Sequence, residues 1–219
     1  MSDNKLIGVD VSHWNRYKEK KSTDSMMAEP YKSLSSIDFM IAKATQGIGH
    51  KDSEFDNFMN IACGKGLLRG AYHFVSMTEP YEQALNFVST VRPYGDCLLA
   101  LDFEDSDGAM KVSQDTINNY LSPLARYVKL MTGTPPLIYA SKYVFDSYDF
   151  SEIRKLDCGV WVAKWDRVTD KPTVKNWGSL IAIKQYTDKG RIDELVGNTD
   201  LNVAYMTKDV WKKYANPRL

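Results

Sequence analysis

An excess of basic charge, a cysteine framework and a long apolar run are all missing from this 219-residue chain. Lys plus Arg equals Asp plus Glu at 28 each, so there is no net charge. No basic run is interleaved with aromatic rings, which excludes the footprint of a nucleic-acid groove. The three cysteines, Cys63, Cys97 and Cys158, are odd in number, and none falls at a metal-knuckle spacing. They exclude a disulfide scaffold and read as free, mostly buried thiols with no Cys97–Cys158 bridge. No apolar segment is long enough to span a bilayer, and the first five residues have none of the apolar character of a signal region. The expectation is synthesis and folding in a reducing cytoplasm, without a signal peptide and without membrane insertion. No linker, low-complexity tract or repeat divides the chain, so residues 1–219 read as a single domain.

What is present centres on Cys97-Leu-Leu-Ala-Leu-Asp-Phe-Glu-Asp105, an apolar run that ends in acid. In an extended strand Leu98, Ala100, Asp102 and Glu104 share one face, and Leu99, Leu101 and Phe103 the other. Two carboxyls at i and i+2 on a partly dry face repel each other and lose water, so one is held protonated while the other stays ionised. Glycoside hydrolysis needs that division: an acid for the leaving oxygen and a carboxylate for the developing positive charge. The Cα separation of about 6.6 Å for such a pair lies between the retaining and inverting carboxyl spacings and selects neither.

Further strands are expected at Leu6–Ser12, Ile37–Thr45, Leu67–Val75, Leu137–Ala140, Gly159–Trp165, Leu180–Tyr186 and Thr199–Val203. Helical spacing marks 55–64, a helix opened by Pro80, and a long helix 114–131 that Pro123 should kink and Gly133 closes. Residues 16–36 read as a long polar loop or a frayed helix, and a helix-like register ends the chain at Val210, Trp211 and Tyr214. Strands alternating with helices imply a mainly parallel sheet. The fold expected is α/β: a single-domain, irregular (β/α) TIM-like barrel with eight strands and fewer than eight full helices. Chemistry in such barrels gathers at the C-terminal strand ends. That rule collects Asp10, Lys43, Tyr72, Asp102, Glu104, Tyr139, Trp161, Lys164, Gln185 and Asp200 around one mouth. His13 reads as a hydrogen-bonded spacer, His73 as a core histidine, and Trp165 as packing.

The ordered set of landmarks resembles glycoside hydrolase family 25, the lysozymes of the phage-endolysin and Chalaropsis type. It consists of Gly8-Val-Asp-Val-Ser-His13, Ile41-Ala-Lys-Ala-Thr-Gln-Gly47, Gly66-Leu-Leu-Arg-Gly-Ala-Tyr-His-Phe74, Leu99-Ala-Leu-Asp-Phe-Glu104, Ile138-Tyr-Ala-Ser141, Trp161-Val-Ala-Lys164, Gln185-Tyr-Thr187 and Asp200-Leu-Asn202. The resemblance implies that Glu104 protonates the glycosidic oxygen, that Asp102 assists the reacting centre, and that Asp10 and Asp200 complete the acidic floor. Tyr72, Tyr139, Trp161 and Gln185 would line the sugar groove, with Lys43 and Lys164 either touching substrate or neutralising the acids. The implied substrate is the β-1,4 bond between N-acetylmuramic acid and N-acetylglucosamine in bacterial peptidoglycan. A monomeric catalytic domain is expected, with no metal, no organic cofactor and no separate wall-binding module. It would act at the cell wall, released at host lysis in the phage manner or secreted from a longer precursor.

Two features depart from that pattern. Many members carry Glu at the position of Gln46, and residues 16–36 are longer than the usual connection. Two other readings stay open at this point: a chitinase-like barrel glycosidase with the same acid pair, and a glycan-binding module that has lost catalysis.

Overall fold

The computed structural model describes residues 5–17 and 33–215; most of the expected 16–36 loop lies outside them. The barrel strands in chain order begin with β1 (Leu6–Val11) and β2 (Phe39–Gln46), the latter extended by a two-residue hairpin strand β3 (His50–Lys51). Helix α1 (Phe55–Gly64), strand β4 (Leu68–Phe74), helix α2 (Pro80–Val91) and strand β5 (Leu98–Asp102) follow. Next come α3 (Gln114–Thr116), a π-helical turn (Ile117–Leu121), α4 (Ser122–Thr132), β6 (Leu137–Ser141), α5 (Lys142–Ser147) and α6 (Ser151–Lys155). The chain closes with β7 (Gly159–Ala163), β8 (Ile183–Gly190), β9 (Thr199–Ala204) and α7 (Lys208–Tyr214).

Neighbouring strands run β1-β9-β8-β7-β6-β5-β4-β2, and a β1–β2 pairing closes the ring into an eight-stranded barrel with β3 outside it. Every pair in the ring is parallel except those made by β9, which runs antiparallel to both β1 and β8. The sheet is therefore mixed. Only residues 191–198 connect β8 to β9, fewer than the roughly dozen that a crossover to a parallel partner needs, so the pair is antiparallel.

Side chains alternate across the barrel wall. Leu6, Phe39, Ile41, Leu98, Leu137, Trp161 and Ile183 fill the interior, while the opposite faces pack on the helices in a second, larger core. Trp211 of α7 stacks on Phe39 at 4.7 Å and donates its indole N–H to the Arg69 carbonyl, which stops the bottom of the barrel. Gly8 in β1 is required there: a Cβ at that position would lie 2.4 Å from the Phe39 ring.

The long helix expected at 114–131 is broken. Before Pro123 the ladder widens, with the Ser122 N–H reaching back five residues to the Ile117 carbonyl. Proline supplies no N–H and its ring presses on the preceding turn, so a π-turn absorbs the misfit. The left-handed Gly133 (φ 72°) caps α4 as anticipated. Cys97 and Cys158 are buried free thiols and Cys63 is an exposed one. No helix among the described residues is long and apolar enough to cross a membrane.

Candidate active site

The mouth of the barrel is formed by the C-terminal ends of the parallel strands and by the N-terminal end of β9. A cavity of about 220 Å³ there is lined by Asp10, Ser12, Trp14, Lys43, Tyr72, Phe74, Asp102, Glu104, Tyr139, Trp161, Gln185 and Asp200. All four acids expected to converge do so. Asp10 pairs directly with Asp200 in the β1–β9 register, and Asp102 with Phe74 and Tyr139 on the β5 flanks. Asp200 arrives at the mouth for a reason that the strand-end rule does not contain: it is the second residue of its strand, and the reversal of β9 places that beginning among the other strands' ends.

Asp10 is buried and its Oδ2 accepts two amide N–H groups, from Asn202 at 2.7 Å and Gln185 at 3.1 Å. Both amides are held in that orientation. The Trp161 indole donates to Asn202 Oδ1 at 2.8 Å, while the Tyr139 hydroxyl (3.1 Å) and the Trp165 indole (3.0 Å) donate to Gln185 Oε1. An amide whose oxygen is already engaged by donors must present its NH₂ to the carboxylate. Burial nevertheless raises the Asp10 carboxyl above its ordinary value, against those hydrogen bonds. Asp200 is pushed up to about 8, first by burial and then by the charge and hydrogen bond of Asp10. The two carboxyls, paired across β1 and β9, are thus both held above the ordinary aspartate range.

Asp102 is the deeper of the acidic pair. It is buried, and its Oδ1 has no hydrogen-bond partner among the described residues. Burial, followed by the charges of Glu104 and Asp10, raises it well above the usual carboxylate range. Glu104 stands two residues beyond the end of β5, where the buried Phe103 pins the chain through an N–H···O bond of 2.9 Å to Tyr139. The strand face that Glu104 shares with Asp102 reads as partly dry, but the residue is exposed at the rim. Partial loss of water and then the charge of Asp10 still raise it, with Lys43 opposing. Both carboxyls are therefore raised in the free protein: Glu104 as a general acid requires, and Asp102 as well, although one of the pair was to stay ionised. The buried member holds its proton more tightly.

Lys43 is the one cation lining the cavity among the described residues. It donates to Gln46 Oε1 at 2.8 Å and rests 4.6 Å from the centre of the Phe74 ring. An irregularity in β2 between Lys43 and Thr45 makes this possible. The extra residue turns Thr45 outward to His73 (2.7 Å) and brings Gln46 back toward the mouth. His73, also bonded to Gln83 at 3.1 Å, is fully buried and held at about 4, chiefly by burial, so it is the neutral core histidine anticipated. Lys164 is not part of the site; its ammonium pairs with Asp166 on the following loop. Trp165 is not packing either, being 61% exposed. His13 bonds the buried Asp52 through Nδ1 at 2.7 Å, as a spacer should.

Sequence reasoning missed Ser12, Trp14, Phe74 and Asn202. Three of them left the same signal, since Ser12, Phe74 and Asn202 share a strand face at i+2 with Asp10, Tyr72 and Asp200, whereas Trp14 lies on a loop and left none. Two larger cavities, about 420 and 340 Å³, open at the opposite end of the barrel, and among the described residues each is lined by a single carboxylate residue, Asp96 and Asp157 respectively. Size does not make them the reactive centre.

The paired Asp-x-Glu carboxyls, supported by two further acids in a half-closed barrel mouth, define a glycoside hydrolase. Residues 9–195 match glycosyl hydrolases family 25, and the chain belongs to that family. It is 28% identical over 208 residues to the uncharacterized protein YegX of Escherichia coli O157:H7, covering 93% of this chain and 71% of that one. It is 27% identical to the autolytic lysozyme of Clostridium acetobutylicum, over 77% of this chain and 49% of that protein. A solved bacterial lysozyme from Streptomyces coelicolor superposes with a TM-score of 0.74 at 24% identity, covering 96% and 97% of the two chains.

One prediction concerns stability. Between about pH 4 and 8 the folded state keeps a proton on Asp200 that the unfolded chain has lost, so stability falls as pH rises through that window. Asp200→Asn does not titrate. Its melting temperature should exceed the parent's by a margin that grows from pH 4 to 8, reaching at least about 1 kcal/mol, or about 2–4 °C. Melts across that range check this; a margin independent of pH contradicts it.

Proposed function

We propose that this chain is a muramidase, hydrolysing the β-1,4 bond between N-acetylmuramic acid and N-acetylglucosamine in bacterial peptidoglycan. The observation that carries the reading is the convergence of Asp10, Asp102, Glu104 and Asp200 on one cavity. The muramidase and lysozyme names of relatives support the substrate.

Glu104 is the general acid. Its position at the rim suits a linkage that lies across the opening, and a sugar covering it removes the remaining water and raises it further. Asp102 waits below with an open oxygen. A substrate acetamido N–H donated to Oδ1 stabilises its ionised form, so docking favours an ionised Asp102 beside a protonated Glu104. The acetamido oxygen then attacks C1 as the C1–O bond breaks and Glu104 protonates the leaving oxygen. Asp102 balances the positive charge on the ring so formed. Water next opens that ring at C1, with its proton returning to Glu104. Two displacements retain the β configuration. Asp10 and Asp200 hold the floor of the site, while Tyr72, Tyr139, Trp161, Gln185 and Lys43 line it. The enzyme works at the bacterial cell wall.

Incubation with purified peptidoglycan and, separately, with chitin tests the reading. New reducing ends on peptidoglycan, carried by N-acetylmuramic acid, are expected. Hydrolysis of chitin alone replaces the muramidase with a chitinase-like enzyme.

A further inference from the structure

The loop after β7 carries an exposed indole in a fixed pose beside the acids. Trp165 has most of its ring in solvent, yet its Nε1 donates to Gln185 Oε1 at 3.0 Å. Gln185 is buried, lines the cavity and donates to Asp10 at 3.1 Å. The edge of the indole is therefore anchored in the site, and its surface is left outside.

The same loop is fastened from behind by a fully buried lysine. Lys184 forms an ion pair with Asp166 and donates to the carbonyls of Arg167 at 2.7 Å and Asp170 at 2.8 Å. All three ammonium hydrogens are used, and every acceptor lies between residues 166 and 170. Asp166 also takes Lys164, whose backbone N–H bonds the Gln185 carbonyl at 3.0 Å. Burying an ammonium is costly unless its hydrogens are matched. Here they are matched by one short loop, and that loop presents Trp165.

The cavity at the mouth, about 220 Å³, falls below the roughly 300–1,000 Å³ of sites that enclose a drug-sized ligand. A glycan of several sugars must therefore rest partly on the rim. We propose that Trp165 is a binding subsite of its own, a rigid platform on which the apolar face of a β-linked amino sugar stacks next to the reacting residue. This rests on the reading of the chain as a glycan hydrolase. A preorganised aromatic ring gives contact area with little ordering cost.

The test uses the Glu104→Gln protein, in which turnover is slowed enough for binding to be read, and calorimetric titration with soluble peptidoglycan tetrasaccharides and with chitotetraose. Adding Trp165→Ala should weaken binding about tenfold or more, as loss of a central aromatic anchor does. Adding Trp165→Phe keeps a stacking ring and should stay within about threefold of the parent. Unchanged affinity in the alanine variant overturns the platform. So does an equal loss in both variants, which would assign the effect to the N–H bond with Gln185. A parent that binds chitotetraose but no peptidoglycan fragment overturns the muramidase reading and leaves the platform tested on chitotetraose. A parent that binds neither glycan overturns the platform too.

Discussion

Glu104→Gln lowers kcat on peptidoglycan by about 10²–10⁴-fold, the usual contribution of a positioned general acid, and leaves KM and melting temperature close to the parent's. The amide fills the same space but has no acidic proton to give the leaving oxygen. Because the residue is exposed at the rim, two positions past β5, the change touches no core contact. The charge it removes had been repelled by Asp10, so folding has nothing to lose. Initial rates, a binding isotherm and a thermal melt on the same sample separate these effects. A rate within tenfold of the parent takes Glu104 out of its role. A large drop in melting temperature would mean that the lost activity reports misfolding instead.

Much of this site was legible because alternation and strand ends are local. Asp102 and Glu104 share a face by parity, and so do Asp200 and Asn202. Parity also argued against Lys164: counting from the inward Trp161, Val162 faces out, Ala163 in and Lys164 out. Reading both Trp161 and Lys164 as groove residues ignored that count. What was not legible depends on long-range pairing. The reversal of β9 is decided by its neighbours. The start of β8 shifts from Leu180 to Ile183 because a turn bonds Leu180 to Trp177 and leaves Leu180 exposed. The irregularity that brings Gln46 to Lys43 has no sequence mark, since Ala44 and Thr45 fit a regular strand equally well. Depth is illegible for the same reason. The length of β5 after pairing, and not its composition, decides that Asp102 is buried and Glu104 is not. The five-residue α6 was too short to leave a periodic signal.

Asp102→Asn should lose about 10²–10³-fold in kcat, the range for removing one preorganised electrostatic partner, while gaining stability. The gain follows from the site's own conflict. The carboxyl is buried beside Glu104 and Asp10, with Lys43 as the opposing cation, and one of its oxygens is unpaired. Its proton is held in the folded state well above the pH at which the unfolded chain releases it. Stability therefore falls as pH rises beyond about 4, until the folded group itself ionises. Asparagine has no proton to lose, so the variant's advantage in melting temperature widens with pH. Rate and stability move in opposite directions, which a merely structural aspartate does not produce. The loss should also be confined to sugars bearing a 2-acetamido group, because Asp102 acts on that substituent. Comparing cleavage of N-acetylated and de-N-acetylated peptidoglycan by parent and variant reads this directly. If Asp102→Asn slows both substrates equally, the carboxylate serves the ring charge alone and the acetamido group is not the internal nucleophile. If the variant is fully active, Asp102 is only a buried acid that the fold tolerates.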